Sequence, residues 1–115
     1  MTLAVRLRIG VGWHVASMSD QRPPGLALPT TVDLRLPAEI SVEGEWQCPE
    51  PERDPEHGRV YRGEVTLQRK LRIADDSRPG EIELPCIISY QACDATSCRR
   101  PEPVELRPRL VVLKR

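Results

Sequence analysis

The 115-residue chain contains no phenylalanine, and its only aromatic side chains are Trp13, Trp46, Tyr61 and Tyr90. A core built from it must therefore be mostly aliphatic. Neither sign of charge is in excess: 17 Lys and Arg stand against 17 Asp and Glu, for a formal net charge of zero. That balance removes the global electrostatic case for nucleic acid or an acidic membrane as partner. No stretch approaches the ~20 apolar residues of a membrane-spanning helix, so direct membrane insertion is not expected. An apolar signal-peptide core is also missing, because Met1 leads straight into strand-like sequence. This reads as a cytoplasmic protein or as a domain cut from a longer exported parent. No nucleophile-elbow or phosphate-loop pattern occurs, and no internal repeat.

Proline, by contrast, is abundant at 12 residues, about twice the usual ~5%. With 7 glycines it sets frequent turns, and no segment keeps a 3.6-residue period for three turns. The dominant period is 2, the signature of half-buried strands. Leu3, Val5, Leu7, Ile9 and Val11 alternate with Ala4, Arg6, Arg8 and Gly10. Val32, Leu34 and Leu36 do the same before Pro37, and residues 41–47 read as a short strand carrying Trp46. Val65, Leu67, Leu71 and Ile73 mark another, with Gly63 as a bulge or bend. Ile82, Leu84, Cys86, Ile88 and Tyr90 form one face of a strand that Pro85 pushes towards a sheet edge or a bulge. Val104, Leu106, Leu110 and Val112 end the pattern, interrupted by Pro108. Residues 21–29, 48–58 and 75–80 read as loops and turns; 48–58 is acidic, proline-rich and free of aliphatic residues. The expectation is all-β: one domain over residues 1–115, an immunoglobulin-like β-sandwich of about seven antiparallel strands.

The chemistry-bearing feature is Cys93-Asp-Ala-Thr-Ser-Cys98, placed between two strands. Four intervening residues permit a disulfide across a hairpin if the Cα atoms approach to ~5.5–6 Å. Closing so small a loop removes only about 2 kcal/mol worth of unfolded-state entropy. The bridge is then either a redox centre or a pin for the hairpin, and spacing alone leaves both open. Arg99 and Arg100 favour thiolate over thiol, and Asp94 opposes this beside Cys93, so the two sulfurs should differ in reactivity. Cys86 reads as a buried free thiol on the face of Ile88 and Tyr90, and Cys48 opens the acidic loop; a second disulfide between them is an open alternative.

The segment SYQACDATSC over residues 89–98, with Tyr90 and Gln91 before the first cysteine and Pro101 after the second, resembles the N-terminal domain family of the bacterial thiol:disulfide interchange protein DsbD. Gly12-Trp13-His14-Val15 is similar to the family's Gly-Trp-His segment. Tyr61-Arg62-Gly63 with Val65-Thr66-Leu67 is similar to its Tyr-x-Gly strand start. These pieces occur in the family's order from about Leu3 to Leu113. The resemblance implies an immunoglobulin-like domain in the periplasm, or another extracytoplasmic compartment. In it Cys93 and Cys98 would shuttle between dithiol and disulfide without cofactor. Electrons would come from a membrane or thioredoxin-like domain, of the same parent or another chain, and pass to thioredoxin-fold clients.

The chain departs from that pattern in two places. The loop matching the family's aromatic cap, residues 52–58, offers only the His57 ring, and Arg99-Arg100-Pro101 stands where an aromatic-Pro-Pro is frequent. A less shielded pair, a different partner or loss of activity would each fit. The non-catalytic alternative is an immunoglobulin-like module that binds a partner and carries a structural hairpin disulfide. A zinc site drawing on the cysteines, His14 and His57 is disfavoured, since structural zinc takes two close pairs and only Cys93 and Cys98 are close. His14 reads as a scaffold residue near Trp13. Asp75, Asp76, Glu81 and Glu83 read as turn and outer-face charges, and the basic end of residues 104–115 as a solvated strand end.

Overall fold

Leu67 and Leu71 are the most deeply buried large side chains, at 0% and 1% exposure, and both lie on one strand that organises a three-stranded sheet. The computed structural model describes residues 1–18 and 28–113. The loop expected at 21–29 falls outside these except for its last two residues, as do Lys114 and Arg115 at the basic end.

The strands are β1 (Thr2–Arg8), β2 (His14–Ala16), β3 (Thr31–Leu34), β4 (Ile40–Gln47), β5 (Glu52–Asp54), β6 (Gly58–Tyr61), β7 (Glu64–Ile73), β8 (Gly80–Glu83), β9 (Cys86–Tyr90), β10 (Ala92–Cys93), β11 (Glu102–Leu106) and β12 (Arg109–Val112). No helix occurs among the described residues, and none is long and apolar enough to cross a membrane.

One layer is the antiparallel sheet β1-β7-β4. The other combines β10-β2-β6-β5, β11-β9-β3 and β12-β8, all antiparallel in their named pairings. Val5 and Leu67 of the first layer meet Val15, Tyr61 and Ile88 of the second in one apolar cluster. Ile40 and Leu71 meet Leu84 in the next, with Ile82 and Leu110 packed against it. This is the immunoglobulin-like sandwich, and apart from Tyr61 the buried residues of its two apolar clusters are aliphatic. A fully buried Leu stabilises by roughly 1.5–3 kcal/mol, so two aliphatic clusters suffice without phenylalanine.

Three expectations need correction or sharpening. Pro85 does not push a single strand to an edge: it ends β8 and starts β9, which pair with β12 and β11 respectively. β9 itself is central, flanked by β11 and β3. A proline has no N–H for the ladder, and here the neighbouring groups are satisfied from outside: Leu84 N–H donates to Pro108 O and Arg35 N–H to Pro85 O, each at 2.8 Å. With Pro108 opposite, two long runs become four segments, which accounts for two of the additional strands among the described residues. Second, residues 48–58 are not all loop, because Glu52–Asp54 pairs with β6 as an edge strand. Its side chains are all polar, so it carries no apolar alternation to reveal it. Third, Gly63 is the expected bend, with φ +69° between β6 and β7 and its carbonyl accepting from Ile9 N–H at 2.8 Å. Only glycine takes that backbone freely.

Candidate functional site

Cys93 and Cys98 form a disulfide across a hairpin, with Cα atoms 4.0 Å apart. The two residues oppose each other as an antiparallel bridge. Hydrogen bonds lie on either side of them: Asp94 N–H to Ser97 O at 2.9 Å, and Arg99 N–H to Ala92 O at 2.8 Å. They therefore occupy the narrow, non-hydrogen-bonded position of the ladder, where Cα atoms sit at ~4.5 Å, inside the spacing expected from sequence. The loop between them is shaped by Asp94. Its Oδ1 accepts from Thr96 N–H at 2.9 Å and Ser97 N–H at 2.7 Å, an Asx turn. Those donors hold the Asp94 carboxyl below the usual carboxylate range.

The two sulfur-bearing residues have unequal surroundings. Cys93 is 0% exposed on β10, whereas Cys98 is exposed. The two halves of the bond thus differ in access. Arg99, expected to bias the sulfurs, has another occupation: its guanidinium lies over the Trp13 ring at 4.8 Å. Arg100 is exposed. Gln91 braces the hairpin base, its Nε2 donating to Arg99 O at 3.0 Å and its Oε1 accepting from Leu28 N–H at 2.9 Å. Tyr90 is half-buried in the apolar cluster of Val5 and Ile88, with its hydroxyl 3.5 Å from Glu102 Oε2.

His14 is the neighbour that sequence reasoning placed elsewhere. It sits directly across from Cys93 in the β2–β10 ladder and is 3% exposed. It packs on the His57 ring, centroids 4.5 Å apart, while Trp13 is taken up by Arg99. His57 belongs to the turn between β5 and β6, whose closing Gly58 has φ +81°. Asp54 organises that turn. Its Oδ1 accepts from Glu56 N–H at 2.9 Å and His57 N–H at 3.0 Å, and stands 3.0 Å from His57 Nδ1. Arg62 binds Glu52 and Asp54 together from β6's end, at 2.8 and 2.5 Å. Arg62 first, then the turn amides, hold Asp54 far below the usual carboxylate range. The His14 pKa is lowered, by burial first and then by His57 and Arg62, against the opposing pull of Asp54 and Asp94. A cleft of about 360 Å³ runs between this turn and Ala95 of the cysteine loop, and His14 lines it.

Asp54 and Arg62 carried no signal as site residues, although the Asp-Pro-Glu-His-Gly string is a turn motif whose first residue caps its own amides. Cys48 and Cys86 remain free thiols, exposed and buried respectively, so the second disulfide is not formed. Among the described residues, no group of three or more His, Cys, Asp or Glu side chains is arranged to hold a metal ion.

The chain matches no protein-family model and no curated protein. Among solved structures it is similar to the crystal structure of the Neisseria meningitidis DsbD N-terminal domain in the reduced form. The TM-score is 0.58 over 95% of this chain and 77% of that one, at 17% sequence identity. At that identity the likeness is one of fold: this chain has the immunoglobulin-like architecture of the DsbD N-terminal domain.

Proposed function

We propose that the chain is a thiol–disulfide exchange module, one domain over residues 1–115, that relays electrons through Cys93 and Cys98 to thioredoxin-fold clients outside the cytoplasm. The observation that carries this reading is a disulfide with one exposed and one buried half. A further support is that the bond is not needed to close its hairpin, which two backbone bonds and the Asp94 turn already close. The fold shared with the DsbD N-terminal domain points the same way.

In the loading step a donor thiolate attacks Cys98 Sγ, the Cys93–Cys98 bond breaks, and Cys93 leaves with the electron pair and takes up a proton. A second donor thiolate then releases Cys98, and the donor becomes a disulfide. In the delivery step the Cys98 thiolate attacks a client disulfide. Cys93 then displaces the client's sulfur from Cys98, restoring the bond and leaving the client with two electrons and two protons. The donor is a thioredoxin-like or membrane domain, and no cofactor enters the chemistry.

The test is the redox equilibrium of the protein against glutathione, with Cys93→Ser and Cys98→Ser as controls. A reversible two-electron couple more oxidising than about −300 mV, abolished by either substitution, is the expected result. Cys93→Ser should also accumulate a mixed disulfide on Cys98. A bond that resists reduction until the fold is denatured would overturn the relay and leave a hairpin staple on a partner-binding domain.

A further inference from the structure

Resting on that reading, we propose that His14 is the proton acceptor for the Cys93 thiol, turning the buried cysteine into the thiolate that closes the disulfide and releases the client. The geometry is a row across neighbouring strands: Cys98 opposes Cys93, and Cys93 opposes His14. Side chains of directly opposed residues in an antiparallel pair project from the same face, with Cβ atoms ~4.5–5.5 Å apart. The imidazole therefore stands on the face of Cys93, the buried cysteine of the pair.

Its Nε2 atom is buried and has no hydrogen-bond partner. A buried polar atom left unpaired is uncommon and costs free energy, about 1–3 kcal/mol. The reduced protein alone carries a thiol proton on Cys93, the residue directly across the ladder from this ring. Burial also creates the need. A thiol enclosed in apolar surroundings ionises poorly, so a resolving cysteine here is slow unless a base sits next to it.

The groups around His14 suit it to that task. His57 in the β5–β6 turn and Arg62 after β6 oppose a second positive charge, which together with burial keeps the ring neutral and able to accept a proton at pH 7. Asp54 on β5 and Asp94 after β10 face it with negative charge, and they stabilise the imidazolium once formed. Glu56 lines the same cleft. The step balances simply. Cys93 Sγ gives its proton to His14 and attacks Cys98 Sγ; the Cys93–Cys98 bond forms while the Cys98–client bond breaks. The client sulfur leaves with the electron pair and takes a proton from water, and His14 returns its proton to water through the cleft.

The test reacts the reduced protein with a chromogenic aromatic disulfide, which reports attack and closure as two successive releases of the aromatic thiolate. In the wild type, closure should rise with pH through an inflection below 6.5 and level off near neutrality. In His14→Gln, closure at pH 7 should slow about 10²-fold and rise with pH only as the thiol itself ionises. First release by Cys98 should change little. Equal closure rates and profiles in the two proteins would overturn the role of His14 while leaving the exchange reading intact. Absence of any second release in the wild type would overturn the exchange reading itself. Because His14 is buried, His57→Gln supplies the second arm: removing a positive neighbour should move the wild-type inflection to higher pH. An unmoved inflection would overturn the assignment even if His14→Gln does not fold.

Discussion

Gln91 donates to the Arg99 carbonyl at 3.0 Å, tying the strand that enters the cysteine hairpin to the strand that leaves it. The same amide accepts from Leu28 N–H, so one side chain holds three segments at the base of the disulfide. Both bonds are exposed, where a hydrogen bond contributes near the low end of ~0.5–1.5 kcal/mol. Gln91→Ala is expected to lower stability by about 1 kcal/mol in urea denaturation and to speed reduction of the bond by dithiothreitol. Unchanged reduction kinetics would mean that Gln91 braces nothing relevant to the sulfurs.

Asp94 has a different task, because it shapes the loop between the cysteines rather than its base. Its carboxylate collects the amides of Thr96 and Ser97. Asp94→Ala should therefore raise the hydrogen-exchange rates of those two amides, read by NMR, with Asp94→Asn largely restoring protection since an amide oxygen can accept the same bonds. If Thr96 and Ser97 exchange equally slowly in the alanine variant, backbone geometry alone sets the loop.

Much of this was legible in the sequence, and the reasons for the rest are physical. Period-2 alternation located β1, β7 and β9 because each turns alternate apolar residues towards the facing layer, whereas β4 fully buries only Ile40. β5 was hidden because Glu52, Arg53 and Asp54 form an edge strand held by Arg62 and backbone pairing, with no apolar face to announce it. The cysteine pair stood out through short spacing, which is local information. The placement of His14 was not local: its neighbour Cys93 lies far along the chain, and only the β2–β10 register brings them together. The Arg99 contact was hidden for a related reason, since nothing in the order of residues reveals that Trp13 lies under its guanidinium.

Acid should loosen the turn that covers His14. Asp54 has a folded pKa depressed well below its ordinary value of 3.8, so its contribution to stability is complete above that value and is lost as pH falls through the folded pKa. His14 also has a depressed folded pKa, so its contribution begins to fall as pH drops below about 6.5. Both act in one direction, with stability declining from near pH 6.5 and more steeply below about 4. In Asp54→Asn the limb below pH 4 should flatten, measured as melting temperature against pH. A parallel limb in the two proteins would show that other carboxylates govern acid unfolding.

The two free thiols should be told apart by alkylation. Cys48 is exposed, 3.7 Å from the Met18 sulfur, and the burial around its thiol raises its pKa despite an opposing hydrogen bond from Tyr61. The Tyr61 hydroxyl is itself pushed up to about 12, by burial first and then by Cys48. Cys86 is 2% exposed on the central strand β9, with its thiol likewise raised by burial. Thiolate is the reacting species, so iodoacetamide should label Cys48 in the native, oxidised protein slowly at pH 7 and markedly faster by pH 9. Cys86 should label only at the rate of unfolding, and both should label together in denaturant. Mass spectrometry counts the modified sites directly. Native labelling of Cys86 as fast as Cys48 would show that β9 opens without global unfolding.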